Sequence, residues 1–506
     1  MKAYVKIDPE RQTGRVNPRI FGHLLARRPG VADRGLHYPE HPTAYPYGIR
    51  QDVEPLIRAV KPTVFRWPGG CTGTSYHWMD GVGPVEARPN KIDLHFGWEA
   101  NHRFGTNEFL AWCRRMGAEP LLNFAMGTGT FDEAFAWVEY CNGTGNTPNA
   151  KLRRQHGFEK PWDVQLWQLG NEMYGEWEIG QTTAASYGET AREWAKAIRR
   201  FDPRVQIVAV GGILRTNLDW ARTVVPKVAP YVDLITFHAF WLPFGGGDPW
   251  YRLMASPNDV ERMLEGIASE IRVARAYIHN CRYLRVAITE WNGMHVLHQH
   301  MKESDMEQFE PTYRLQDALA NATFWNILKR RSQQVGLATT AQIVNVEGHI
   351  MVHERVVWRE PIYWPLYMQV NYGGPMLLDT WVDVDAFSMP EMKLEGLPYL
   401  DVTTTLDPEQ SRVFCSLVNR HPTEGMLVQF ALTDCEPTGV VTAHLLYHDD
   451  PEAKNGPDQP DNVRPRDVVL GPMGKRFEWE MPPHSYAVVE IPLRGSVYSN
   501  KSINPL

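Results

Sequence analysis

Cysteine is scarce and scattered. Cys71, Cys113, Cys141, Cys281, Cys415 and Cys435 stand singly, and no CxxC occurs. That argues against a disulfide framework and for free thiols in a cytoplasmic protein. No apolar run reaches the length of a membrane span, so no membrane partner is expected. The opening MKAYVKIDPERQTGRV has no apolar h-region, so no secretory signal is expected. Basic residues are in deficit, with 52 Lys and Arg against 59 Asp and Glu, which gives no footing for a nucleic-acid partner. Internal repeats and low-complexity tracts are absent. A glycine-rich phosphate loop is absent too: the stretch at the first candidate strand reads FGHLLARRPG. A doubly wound nucleotide-binding sheet is therefore only the second choice of fold.

What is abundant is length and aromatic surface. A chain of 506 residues exceeds one ordinary core, so two or more domains are expected. Eighteen Trp and twenty Tyr suit either a large aromatic core or a cleft that stacks rings on sugar faces.

Eight apolar runs bounded by Gly, Pro or Asn read as strands: 19–25, 63–67, 120–124, 164–169, 205–210, 232–237, 285–289 and 336–344. Helical periodicity lies between them at 106–117 (with a Thr cap), 182–201, 256–278 and 312–331. Eight strands alternating with helices match an α/β (β/α)8 barrel, expected over 16–375. After about residue 376 the texture turns to short alternating strands. A C-terminal β-sandwich is expected over 376–506, with 1–15 able to join it.

Active residues of such barrels sit at the C-terminal ends of strands. Strand four runs into Asn171-Glu172 in VQLWQLGNEMYGEW, and strand seven ends at Glu290 in RVAITEWNG. One glutamate at a strand end is ordinarily an N-cap or a surface ion pair. Two, each with Trp close by, suit glycosidic bond cleavage: one protonates the leaving oxygen, and the other attacks the anomeric carbon or activates water. Arg66, ending strand two in FRWPGG, can hold a carboxylate ionised. His238, ending strand six, can hydrogen-bond that same carboxylate. Strand eight carries Gln342 and Asn345. A buried structural pair is the plainer reading of Arg66 and His238. HVLHQH places His295, His298 and His300 together, but nothing completes a metal-ligand pattern, so a polar loop near the cleft is expected.

In order along the chain, FRWPGG, WMDGVGPVEARP, GTNEFLAWC, WQLGNEMYGEWEIG, ITEWN, AQIVNV and VVWREPIYWP resemble glycoside hydrolase family 51, mainly α-L-arabinofuranosidases. The resemblance runs from about residue 16 to 370. It implies a (β/α)8 barrel with a β-sandwich and a retaining double displacement. Glu172 matches the acid/base and Glu290 the nucleophile. Asn171 matches the amide that binds the sugar 2-hydroxyl. Arg66, His238 and Gln342 match active-site positions; Trp98 and Trp177 match cleft aromatics. The resemblance further implies a carbohydrate substrate, no metal or other cofactor in catalysis, and a hexameric homo-oligomer. Glu172 must begin protonated, so burial and the charge of Glu290 are expected to hold its pKa up.

Three substrate positions depart from the family pattern. Ala26 stands where the family has a sugar-binding Glu, Cys71 where it has Asn, and Phe240 where it has Tyr. Each hydrogen bond lost removes about 0.5–1.5 kcal/mol, so the glycone pocket is expected to be rebuilt around intact machinery. A pyranose or a continuing chain, as in endo-β-glucanase or xylanase action, is the alternative substrate. Arg27 and Arg28 read as solvated loop residues, with a uronic acid as their functional alternative. A non-catalytic glycan-binding protein is the remote alternative.

Overall fold

Val64, Leu121, Leu166, Val208, Leu234, Ala287 and Leu337 form one buried apolar ring. Each comes from a different strand of a closed parallel barrel. A computed structural model describes residues 1–212, 218–241, 245–294 and 313–494. Strand β1 (Lys2–Arg15) precedes eight barrel strands: β2 (Gly22–Leu24), β3 (Val64–Trp67), β4 (Glu119–Asn123), β5 (Leu166–Leu169), β6 (Gln206–Val210), β7 (Leu234–Trp241), β8 (Arg285–Gly293) and β9 (Val335–Thr340). They hydrogen-bond in chain order, and β9 closes onto β2. The expected (β/α)8 barrel is the observed one. The apolar ring plugs its floor, which leaves polar residues to crowd the other end.

Helices α1 (Glu54–Ala59), α2 (Thr106–Met116), α3 (Phe131–Asn142), α4 (Pro148–Gln155), α5 (Ala184–Phe201), α6 (Leu218–Val228), α7 (Pro249–Tyr277), α8 (Leu315–Arg330) and α9 (Tyr363–Asn371) follow the strands. Two helix starts differ from the sequence reading. Thr106 does not cap α2. It is the first helical residue, and the Gly105 N–H instead donates to Glu108 Oε2 at 3.0 Å. Helix α7 starts at Pro249 rather than 256. Asp248 caps it by accepting from the N–H groups of Trp250 and Tyr251, and Pro257 lies inside. Pro257 mimicked a first-turn proline in the sequence.

Beyond α9 come β10 (Met376–Val384), β11 (Leu400–Asp407), β12 (Arg412–Asn419), β13 (Met426–Leu432), β14 (Val440–Leu446), β15 (Pro465–Pro472), β16 (Arg476–Met481) and β17 (Ser485–Pro492). With β1 they make one nine-stranded sheet, in which β1 pairs antiparallel with β10 and parallel with β13. Both faces of β12 are buried. Ser416 faces the barrel helices, where Gln369 Nε2 donates to its hydroxyl. Val413, Cys415 and Leu417 share a second core with Val5 and Ile7 of β1 and Phe430 of β13. The sheet therefore folds back over that core, as the alternating sequence predicts for a sandwich. Asp401 of β11 docks it to the barrel: Arg330 of α8 meets Asp401 Oδ2 at 2.8 Å, and Asn326 Nδ2 donates to Oδ1 at 2.8 Å. Among the described residues no helix is long and apolar enough to cross a membrane.

Candidate active site

Strand β8 does not keep its alternation to the end. Ala287 points into the barrel and Ile288 out of it, so a regular strand would turn Thr289 inward and Glu290 outward. Pairing with β7 instead jumps from Ile288↔Phe237 to Glu290↔His238. Thr289 is the extra residue of a β-bulge, and its N–H donates to Thr236 Oγ1 at 3.1 Å. The bulge sends Glu290 inward beside Thr289. At the end of β5, Gly170 (φ 77°) and Glu172 (φ 41°) adopt left-handed backbone. A non-glycine residue there is held by its surroundings, and this turn directs Asn171 and Glu172 into the same space.

Arg66 at the end of β3 ties the two ends together. It is fully buried. Its Nη1 donates to Glu290 Oε1 at 2.5 Å and its Nη2 to Asn171 Oδ1 at 2.7 Å. Gly70 comes so close to this pair that a Cβ there would lie 2.2 Å from Glu290 Oε1. His238 bridges the carboxylates. Its Nδ1 is 2.7 Å from Glu172 Oε1 and 3.8 Å from Glu290 Oε2. Those two oxygens therefore lie at most 6.5 Å apart, the sum of the two contacts. That fits the roughly 5 Å spacing of a retaining pair and leaves little room for the extra water of an inverting one. The sequence reading had His238 bonding the carboxylate that Arg66 holds. The structure instead gives Arg66 to Glu290 and His238 to Glu172. Thr289 Oγ1, 3.2 Å from His238 Nε2, fixes the other side of the ring.

Glu172 departs from expectation in its proton affinity. Burial pushes its pKa up, but His238, by charge and hydrogen bond, the Trp177 indole N–H at 2.6 Å and the Arg66 charge outweigh it, holding Glu172 below the ordinary carboxylate range. Glu172 is thus biased towards the carboxylate form beside His238.

The remaining expected residues divide. Trp177 is 52% exposed, so its ring borders the cleft while its N–H holds Glu172. Phe240 packs edge-on against the His238 ring. Cys71 is half-buried, its Sγ 3.8 Å from Asn171 Nδ2. Gln342 supports the backbone: its Oε1 accepts the Ala26 N–H at 3.0 Å. Ala26 is buried. Trp98 stacks on Phe96, with the Arg28 guanidinium 5.2 Å over its ring. Arg27 and Arg28 are not solvated, as the loop reading had it, but buried. Arg27 Nη2 lies 3.4 Å from Asp93 Oδ2. His295, His298 and His300 lie outside the described residues.

Sequence reading missed Tyr174, Glu178, Glu347 and His95. The Tyr174 hydroxyl donates to Glu172 at 3.3 Å. Glu178 accepts from Asn171 Nδ2 at 3.2 Å and from Thr74 Oγ1 at 2.6 Å, and burial raises its pKa to about 7. Glu347 is raised to about 8 by burial and by the charge of Glu290. Tyr174 and Glu178 stand in EMYGEWE, the segment that Glu172 opens, the only signal available.

Family models described as the α-L-arabinofuranosidase 1 domain and the α-L-arabinofuranosidase C-terminal domain match residues 56–240 and 289–485. The chain is 33% identical to α-L-arabinofuranosidase C of Emericella nidulans over 89% of this chain and 90% of that one. It is 33% identical to an intracellular exo-α-(1→5)-L-arabinofuranosidase of Streptomyces lividans, covering 91% of this chain and 71% of that one. The solved GH51 α-L-arabinofuranosidase of Thermotoga petrophila superposes with a TM-score of 0.88 at 31% identity, over 97% of this chain and all of that one. With a barrel, a bracketed pair of glutamates and a third of its residues shared across nine-tenths of a relative, this chain belongs to the α-L-arabinofuranosidases of glycoside hydrolase family 51.

Proposed function

We propose that the chain removes non-reducing-end α-L-arabinofuranosyl residues from plant-type polysaccharides or oligosaccharides, with 16–375 as the catalytic unit and 376–506 with 1–15 as its β-sandwich. The observation that carries this reading is the bracket itself: Glu290 held by Arg66, Glu172 held by His238, and the two oxygens within 6.5 Å. Arg66 occupies Oε1 of Glu290, so Oε2 is the oxygen that attacks the anomeric carbon. As the C–O bond breaks, the proton held by the Glu172–His238 pair passes to the leaving oxygen. The glycosyl ester on Glu290 removes its charge. Glu172 then takes a proton from water, which opens the ester and returns arabinose with its configuration kept. Asn171, oriented by Arg66 and Glu178, reaches for the 2-hydroxyl, and Trp177 borders the departing sugar.

The test is replacement of each glutamate. Glu172→Ala should lower kcat by about 10²–10⁴-fold on arabinosides with poor leaving groups. Glu290→Ala should show no turnover until azide is added, and azide should give a product of opposite anomeric configuration. Retained turnover in Glu290→Ala without azide contradicts the assignment.

The rebuilt pocket favours a second reading, an altered glycone. Ala26 offers no acceptor, Phe240 no hydroxyl, and Arg28 packs over Trp98 nearby. A panel of nitrophenyl glycosides, xylan and β-glucan separates the two: high kcat/KM confined to the α-L-arabinofuranoside ends the second reading. We also propose a cytoplasmic homohexamer, as the family resemblance implies. A six-subunit mass by light scattering supports it, and a monomer mass rules it out.

A further inference from the structure

Cys71, His95 and Glu178 come from three different segments: the turn after β3, the loop before α2, and the stretch after β5. Each offers one ligand atom, and these atoms all lie within 4.8 Å of one another. They differ in chemistry, a thiol, an imidazole and a carboxylate, which is a set that borderline-soft cations prefer. Two further observations mark the place as a site. His95 Nδ1 is buried with no hydrogen-bond partner among the described residues. Its loop is pinned by Asp93 Oδ1, which accepts from the N–H groups of His95 at 3.1 Å and Phe96 at 3.0 Å. Both Cys71 and Glu178 also touch Asn171 Nδ2, at 3.8 and 3.2 Å.

We propose that Cys71, His95 and Glu178 form a site for a zinc-class divalent cation at the edge of the catalytic cleft, and that occupation removes two contacts that orient Asn171 towards the substrate. Zinc bonds of about 2.0–2.3 Å need the three side chains to close slightly around the ion, which the half-buried His95 ring does by rotation. Binding breaks the Cys71 S–H bond and releases its proton to solvent, while the thiolate sulfur supplies the metal bond. Three protein ligands leave a fourth position open to water or a sugar hydroxyl. A metal between Cys71 Sγ and Glu178 takes both acceptors of the Asn171 Nδ2 group and leaves only the Arg66 contact to Oδ1. The inhibition so caused rests on the proposed hydrolase reading; the binding does not.

Cobalt(II), a coloured stand-in for zinc, tests binding without substrate. Titration of the full chain should reach one equivalent with thiolate-to-cobalt absorption in the near ultraviolet. Cys71→Ser should lose that band, and His95→Gln should bind at least tenfold more weakly. In the unmodified protein, zinc should protect Cys71, and not the half-buried Cys281, from iodoacetamide, as read by peptide mass. This second measurement stands even where a variant fails to fold. Zinc should also inhibit arabinoside hydrolysis, a chelator should restore it, and His95→Gln should need at least tenfold more zinc. No thiolate band, a band that survives Cys71→Ser, or modification of Cys71 unchanged by zinc overturns the site. Binding and protection without inhibition overturns only the coupling to Asn171.

Discussion

Glu172 is held by three donors that favour its carboxylate: His238, the Trp177 indole and, more weakly, the Tyr174 hydroxyl. The sign of the consequence follows. A general acid loses activity as pH rises through its pKa, and these partners place that pKa low. Removing one lets burial push it up. His238→Ala should therefore move the basic limb of the kcat/KM profile to higher pH, with a lower maximum because the ring also positions the carboxylate. Trp177→Phe should move the limb the same way. A limb that stays in place or moves to lower pH in both variants contradicts this electrostatic account. The measurement is kcat/KM against pH on an aryl arabinoside.

At the scale of elements, the site depends on three local breaks in regular structure: the bulge in β8, the left-handed turn after β5 and the close turn after β3. Gly70 is closed to side chains by its position, since a Cβ there would meet Glu290 Oε1. Gly70→Ala should cost about 10²-fold in kcat, the scale of an ångström's displacement at a reacting group, with far-ultraviolet circular dichroism unchanged. Activity equal to the parent's would show that Glu290 tolerates displacement. These breaks also mark what sequence can tell. All eight barrel strands were legible, because buried parallel strands read as bounded apolar runs. Glu172 and Glu290 were legible as carboxylates at strand ends. The bulge was not: strict alternation would have turned Glu290 outward, and an extra residue leaves no pattern of its own. The partners of His238 were misread for a related reason, since both carboxylates lie within reach of one imidazole nitrogen and register alone decides between them. Arg28 and Glu178 escaped because burial of a charged residue depends on chain segments distant in sequence.

At the scale of the molecule, barrel and sandwich are joined through polar as well as apolar contacts. Asp401 is buried, and burial raises its pKa, but Arg330, Arg420 and Asn326 more than reverse this and hold it below the usual aspartate range. A carboxylate held low stabilises the fold above its unfolded pKa of about 3.9 and loses that contribution as pH falls through the lower folded value. Asp401→Asn should cost about 1.5–3 kcal/mol at neutral pH, the range for hydrogen bonds to charged groups, measured by urea unfolding. Its stability should also fall less steeply than the parent's below pH 4. Identical acid dependence would show that Asp401 does not bear the docking charge.

The central claim is covalent catalysis by Glu290 with Glu172 as acid and base. The direct measurement is intact-protein and peptide mass spectrometry of Glu172→Ala mixed with a dinitrophenyl α-L-arabinofuranoside, whose leaving group needs no acid. The account predicts a trapped ester: the protein gains the mass of one pentosyl residue, on the peptide containing Glu290. An adduct on any other residue, or turnover by the unmodified chain that releases arabinose of inverted configuration, would contradict it.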